Sequence, residues 1–306
     1  MINKNIENKI IALIKETGPL TGAEIRDSME DDGLSLWRAC RLSNRLNVRN
    51  TGIRYLRLDR RVEGYARLSP SILREFLTYS VIGLAGDHSS MSMKSDAISS
   101  HIEQISRTKS EQAYRIISSL TNQFENELPI KDRLCFILAG DIVFNMAHDV
   151  PRPERSTGKI VKGSDIDLVV IVDDLFPEKS LKRLDDAIFQ EKYRLLITPH
   201  IREEIDYIIK RLVRVREQVR FESFGHMVAC KILHEGTLLY GSHEIFHTAK
   251  SMLRENGIIQ KLDALEKKAV IFRKKAEESL LCEDTNNIKL ESSYLFYPIE
   301  ESEEFE

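Results

Sequence analysis

The stretch Ser164-Asp165-Ile166-Asp167-Leu168-Val169-Val170-Ile171-Val172 constrains this chain more than any other. Residues 168–172 are apolar on both faces of an extended backbone, the pattern of a strand buried inside a layered sheet rather than at its edge. Side chains two apart on a strand share a face, so Asp165 and Asp167 project together. Leaving two carboxylates unpaired at the end of a buried strand costs several kcal/mol, so the spacing predicts cations beside them. Mg²⁺ suits the place, since it takes one or two carboxylates together with waters and phosphate oxygens.

The surrounding pattern predicts where that strand sits. A short apolar strand over 134–138 ends at Ala139-Gly140, a helix follows over 141–147, and a polar loop carries Pro151 and Pro153. After the Asp-bearing strand come a helix over 180–192, a third strand over 204–211, a helix over 223–233, a short strand over 237–240 and a final helix over 245–281. Strands alternating with helices predict α/β organisation for 130–245. Upstream, three short helices are predicted over 6–15, 22–29 and 36–46, with Thr21 and Ser35 as caps of the second and third. A strand over 52–58 alternates apolar with basic residues, and helical patterns cover 69–83 and 97–125 around a polar loop at 85–95. Three short helices followed by a strand pair resemble a winged helix-turn-helix.

The order of features in 130–245 resembles the nucleotidyltransferase superfamily that includes DNA polymerase beta, aminoglycoside nucleotidyltransferases and the minimal nucleotidyltransferases. Its members have an apolar strand ending in Gly-Ser, a helix, a strand carrying Asp-x-Asp and a further strand with a third carboxylate. The parts here are Phe136-Ile137-Leu138-Ala139-Gly140-Asp141, then Ser164-Asp165-Ile166-Asp167-Leu168, then Ile205-Asp206-Tyr207-Ile208-Ile209. A later segment, Lys231-Ile232-Leu233-His234-Glu235-Gly236-Thr237-Leu238-Leu239-Tyr240-Gly241, is similar to the ending of many small members.

The resemblance implies transfer of a nucleoside monophosphate from a nucleoside triphosphate to an acceptor, with release of pyrophosphate. Asp165 and Asp167 would hold two Mg²⁺ (or Mn²⁺) ions, and Asp206 would complete the metal site nearer the attacking group and help deprotonate it. Gly140, Asp141, Ser164 and Lys162 would lie against the nucleotide, with amides at the following helix start aimed at its phosphates and Arg155, Lys159 and Lys162 neutralising them. Two departures stand out: Asp141 replaces the usual serine, and the distance from Gly140 to Asp165 requires an inserted loop, which residues 151–158 supply. Asp141 either caps the helix that follows or joins the metal shell.

Charge is unevenly spread behind a formal net value of -3. Residues 35–74 hold ten arginines against Asp59 and Glu63, a balance of 10 - 2 = +8, whereas 291–306 hold six glutamates and no Lys or Arg. The basic segment places Arg38, Arg41 and Arg45 on one helical face, with Arg54 and Arg57 on the candidate wing, a surface suited to DNA or RNA phosphates. This opens an alternative, a nucleic-acid-binding regulator whose transferase domain is inactive. His243-Glu244-Ile245-Phe246-His247 matches the zinc peptidase pattern His-Glu-x-x-His, but no histidine follows His247 as a third ligand. Cys40, Cys135, Cys230 and Cys282 stand singly, which argues against disulfides and a cysteine zinc site. No apolar run approaches the roughly 20 residues of a membrane span, and the amino terminus has no apolar signal stretch. A cytoplasmic protein without a membrane partner is expected, its oligomeric state open. The expected architecture is α+β or α/β, a nucleotidyltransferase-fold mixed sheet flanked by helices over 130–245. An amino-terminal winged-helix-like domain over 1–70 and a helical connector over 71–129 precede it, and a carboxyl-terminal helix with an acidic tail over 246–306 follows.

Overall fold

The computed structural model describes residues 3–124, 130–154, 156–283 and 290–297; Arg155 and most of the acidic tail lie outside them. The chain is α+β with open mixed sheets and divides into two compact units, one of Met1–His101 with Asp263–Glu303, the other built on Ile102–Leu262.

In the first unit, α1 (Lys4–Thr17) starts where the Asn3 side chain takes the amides of Asn5 and Ile6, and it buries Ile6, Ile10 and Ile14. β1 (Leu20–Thr21) leads to α2 (Gly22–Asp27), held by a capping box between Thr21 and Glu24. α3 (Gly33–Leu42) begins earlier than the sequence pattern indicates, because Asp32 rather than Ser35 is its cap and accepts from the amides of Leu34 and Ser35. The chain then forms β2 (Leu46–Asn50) and the hairpin of β3 (Tyr55–Leu58) with β4 (Ala66–Ser69). Where one helix was expected over 69–83 there are two elements, α4 (Ile72–Thr78) and β5 (Ser80–Leu84). β5 is the middle strand of an antiparallel sheet ordered β1-β5-β2, and Val81 and Ile82 are fully buried in it. A short apolar run does not distinguish helix from strand, and here the β-branched pair with partners on both sides decides it. α5 (His88–Asn122) starts inside the polar stretch expected as a loop, with the Asp87 carboxylate accepting from the Ser90 amide.

In the second unit, α6 (Ile130–Arg133) runs into β6 (Leu134–Ala139), which is buried throughout. A single 3-10 turn, Gly140–Ile142, stands where a helix to 147 was expected. The backbone is left-handed at Gly140 (φ 72) and again at Asn145 (φ 54), which no helix tolerates. The inserted segment forms a hairpin, β7 (Pro151–Pro153) with β8 (Ile160–Lys162). Then follow β9 (Ile166–Val172), α7 (Glu178–Ile197), β10 (Ile205–Arg211), α8 (Leu212–Gln218), α9 (Phe224–Glu235), β11 (Thr237–Gly241) and α10 (His243–Glu255). The sheet order is β10-β9-β6-β11, with β9 and β10 parallel and the other pairs antiparallel. α7 is the crossover that two parallel neighbours require. Phe136, Leu138, Ile166, Leu168 and Val170 centre this core.

The expected helix over 245–281 is broken at Gly257 (φ 65) into α10 and α11 (Ile258–Cys282). α12 (Leu290–Phe296) closes the described chain and places Phe296 edge-on to Trp37 in the core of the first unit. No helix among the described residues is long and apolar enough to cross a membrane.

Candidate metal centre

β9 and β10 are parallel and in a register that sets Asp206 beside Asp167 and Ile205 beside Ile166, while Ala139 at the end of β6 flanks Asp167 on the other side. Asp165 stands just before β9, on the face that Asp167 shares. Ligand oxygens of Asp165, Asp167 and Asp206 all lie within 4.8 Å of one another, and all three residues are half-buried. Among the described residues this is the one group of three or more His, Cys, Asp or Glu side chains that converges in this way.

Two glycines let the backbone close around the cluster. Gly140 follows β6, and a Cβ there would sit 2.0 Å from Asp167 Oδ2. Gly163 (φ +63) precedes Ser164, and a Cβ there would strike the His148 carbonyl. The loop entering β9 is tied down by the Ser164 amide on the His148 carbonyl (3.0 Å) and by the His148 amide on Ser164 Oγ (3.2 Å). Ser164 Oγ in turn donates to Asp141 Oδ2 at 3.0 Å. The Gly140 amide donates to Glu235 Oε1 (3.3 Å) at the end of α9, and Lys231 Nζ stands 2.8 Å from Glu235 Oε2 in a buried pair.

Arg152 and Lys192, among the described residues, reach the carboxylates. Arg152 on β7 donates through Nε to the Gly163 carbonyl (2.8 Å), and its Nη2 lies 3.4 Å from Asp165 Oδ2 and 2.8 Å from Glu204 Oε2. The Arg152–Glu204 contact is one of opposite charges without hydrogen-bond alignment. Lys192 on α7 donates to Asp206 Oδ1 at 2.7 Å. Glu204 is itself buried, and its carboxyl is pushed up to about 7. Burial is the main cause, with the negative charges of Asp165, Asp206 and Glu154 adding to it and Arg152 opposing it. Behind the cluster, Lys109 on α5 ties Glu203 and the Lys162 carbonyl together.

Three carboxylates with converging oxygens, no imidazole or thiolate among them, are the donor set of a hard oxygen-seeking dication. Asp167 Oδ2 lies where a side chain at position 140 would stand, so the glycine is what lets this carboxylate pack against the end of β6. By this donor set the residues fit Mg²⁺ or Mn²⁺.

Sequence reasoning named Asp165, Asp167, Asp206, Gly140, Asp141 and Ser164, and these come together. Asp141 caps no helix; it receives the Ser164 hydroxyl. Lys162 is exposed and its Nζ donates to the His200 carbonyl. Sequence reasoning did not name Arg152, Lys192, Glu204, Lys231 or Glu235 as site residues. The adjacency of Glu203-Glu204 to Asp206 was the one available signal for Glu204, and an apolar stripe interrupted by a lysine was the signal for Lys192.

The other candidates stand elsewhere. Arg38 donates to the carbonyls of Leu280 and Glu283, Arg54 pairs with Glu75 and Glu277, and Arg45 donates to Asn8. Arg41 is exposed on α3 and Arg57 is half-buried on β3. His243, Glu244 and His247 are exposed on α10; the two rings are 6.2 Å apart, and no further ligand atom joins them among the described residues. Comparison of the chain with models of protein families, with curated proteins and with solved structures found no match.

Proposed function

We propose that this chain is a metal-dependent nucleotidyltransferase, moving a nucleoside monophosphate from a nucleoside triphosphate to an acceptor with release of pyrophosphate. The observation that carries the reading is the meeting of Asp165, Asp167 and Asp206, from two parallel neighbouring strands, against a glycine at the end of a third. The order of these parts along the chain, which resembles the nucleotidyltransferase superfamily, supports it further.

Asp165, Asp167 and Asp206 would hold Mg²⁺ or Mn²⁺, which supplies charge stabilisation to a phosphoryl group in transfer. Gly140 lets the turn after β6 close on the Asp167 carboxylate, whose Oδ2 fills the place a side chain would take. Arg152, anchored on the Gly163 carbonyl and Glu204, fixes Asp165 from outside the cluster. The buried Lys231–Glu235 pair holds the Gly140 amide, and with it the turn that follows β6. The protein's own part is thus the positioning of carboxylates.

The test is incubation of the full-length chain with each α-labelled nucleoside triphosphate, Mg²⁺ or Mn²⁺, and total cellular RNA and protein. Label is expected in one fraction together with released pyrophosphate. Asp165→Asn and Asp167→Asn are each expected to lower incorporation at least ~100-fold, the scale of a lost metal contribution of several kcal/mol, with the thermal midpoint unchanged. Incorporation that survives both substitutions, or none with any triphosphate, overturns the reading. A second reading, a nucleic-acid-binding regulator without turnover, is favoured by Asp141, whose carboxylate occupies the Ser164 hydroxyl and adds negative charge where phosphate would approach. Binding of RNA or DNA without labelling is its signature.

A further inference from the structure

β10 is an edge strand: among the described residues it pairs with β9 on one side and with nothing on the other. The Ile166 amide donates to the Glu204 carbonyl, so in this parallel pair residue 204, and with it 206, 208 and 210, turns its backbone groups toward β9. Ile205, Tyr207 and Ile209 turn theirs outward, where no described residue bonds them. Edge strands that stay single are short, bulged or charged along their length. β11, the other edge of the sheet, has a register shift between Leu238 and Tyr240. β10 runs seven residues in unbroken register, and its centre is the uncharged Tyr207-Ile208-Ile209.

α7 presents an apolar surface beside that open edge. Lys192 and Asp185 reach the Asp206 carboxylate and the Tyr207 hydroxyl, so the flank of α7 that they mark lies over β10. Phe189 is four residues after Asp185 and three before Lys192, which sets it on that flank, and Tyr193 follows one turn later. Their side chains are 61 % and 53 % exposed. The opposite flank, with Ala187 and Glu191, faces Ile116 and Leu120 of α5 across a cleft. α5 itself lies toward β11, where the Tyr114 ring meets that of Tyr240. The Phe189–Tyr193 stripe therefore points away from α5 and past β10, off the open edge of the sheet.

We infer that two copies of this chain join edge to edge through β10, antiparallel about Ile208, in one continuous sheet with their α7 helices side by side. A dyad normal to the sheet keeps both α7 helices on one face and runs them antiparallel, with Phe189 and Tyr193 of each turned to the other. With Ile208 at the dyad, Tyr207 and the partner's Ile209 form the hydrogen-bonded pairs for which the outward amides and carbonyls are aimed. The same register sets Asp206 opposite the partner's Lys210, and opposite charges directly across two strands stabilise their pairing. Lys210 has no carboxylate partner of its own among the described residues; its Nζ donates to Gln218 Oε1 at 3.1 Å. This register also overlaps the two strands along their whole length, which a dyad at Tyr207 or Ile209 does not. The inference does not rest on the reading of the three aspartates as a metal centre.

Sedimentation velocity of the full-length chain over a dilution series is expected to show a dimer dissociating to a folded monomer. Phe189→Asp/Tyr193→Asp is expected to raise the dissociation constant at least ~30-fold, the scale of a lost interface anchor, and to leave the thermal midpoint of the monomer unchanged. On the wild type, hydrogen exchange followed by NMR is expected to slow at the Tyr207 and Ile209 amides as the dimer forms. It is expected to stay constant at Ile208, whose amide already bonds β9. A monomer at every concentration overturns the inference. A dimer whose Tyr207 and Ile209 amides exchange as fast as in the monomer overturns it too, as does one that the double substitution leaves intact. The exchange measurement needs no variant, so it decides the matter even if the double substitution does not fold.

Discussion

A methyl group at position 140 would lie 2.0 Å from Asp167 Oδ2, on a backbone whose φ of +72 L-residues with side chains avoid. Gly140→Ala therefore carries a left-handed penalty of about 1–2 kcal/mol and also pushes the Asp167 carboxylate out of place. Denaturant unfolding is expected to show that loss, and Mn²⁺ affinity to fall with it; full affinity in the alanine variant would mean that the glycine only serves the turn. Glu204 offers a test by pH. Its folded value of about 7 lies above the ordinary 4.5, so between these values the folded state keeps a proton that the unfolded state has released. The stability it contributes is complete below about 4.5 and is lost as pH rises through about 7. With divalent ions chelated, wild-type stability is expected to decline across that window and Glu204→Gln to lack that part of the decline. Equal slopes in the two proteins would remove Glu204 from the carboxylate cluster. At this scale much of the site was legible: the Asp-x-Asp spacing marks one face of a strand whatever surrounds it. Arg152 was not legible, because only the fold of the β7–β8 hairpin brings it to Asp165.

Elements were legible where a cap or a strict period wrote them into adjacent residues. Thr21 and Glu24 announce α2, and the all-apolar run announces β9. β5 was hidden because Ser80–Leu84 becomes a strand only through partners at Leu20–Thr21 and Leu46–Asn50, far away in sequence. The same distance conceals the buried cluster that fixes α11 against α4 and β3 in the first unit. Arg273 on α11 is 2 % exposed; its Nη1 donates to the Pro70 carbonyl at 2.8 Å, its Nε to Glu277 Oε1 at 2.7 Å, and its Nη2 lies 3.2 Å from Glu75 Oε2. Arg54 meets the same two carboxylates from the other side, so two cations face two anions. Burial presses the Arg273 guanidinium toward losing its proton, and Glu75 and Glu277 oppose that. Arg273→Met leaves two carboxylates to one cation and a buried carbonyl without its donor, a change that costs about 3–5 kcal/mol. Trp37, 4 % exposed in the core of the same unit, is the reporter: its emission in a urea titration is expected to show a midpoint lowered accordingly. A loss below about 1 kcal/mol would place the network among ordinary surface pairs.

Over the whole molecule the charge pattern in the sequence misleads, for a physical reason. The segment 35–74 counts as strongly basic because its acidic partners lie outside it: Glu75 and Glu277 take Arg54, and the carbonyls of Leu280 and Glu283 take Arg38. Asp59, inside the segment, serves both Arg61 and Arg67. A running charge count cannot see a partner that folding delivers from residue 277. What this leaves facing solvent over α3, β2 and the turn between them is chiefly Arg41, Arg45 and Arg49. Each phosphate neutralised on duplex DNA contributes about -0.9 to the slope of log K against log salt, so three such contacts predict a slope of about -3. Fluorescence anisotropy of a short labelled duplex, titrated with the full-length chain between 50 and 300 mM KCl, reads this directly (salt range of the order used for such slopes, roughly a sixfold span). Arg41→Ala is expected to make the slope shallower by about one unit, whereas Arg38→Ala, whose guanidinium holds carbonyls of the same unit, is expected to lower thermal stability and leave the slope alone. A wild-type slope of about -9, ten arginines at about -0.9 each, would show that the whole basic segment meets phosphate, that the internal pairs open on binding, and that nucleic acid is the partner for which the first unit is charged.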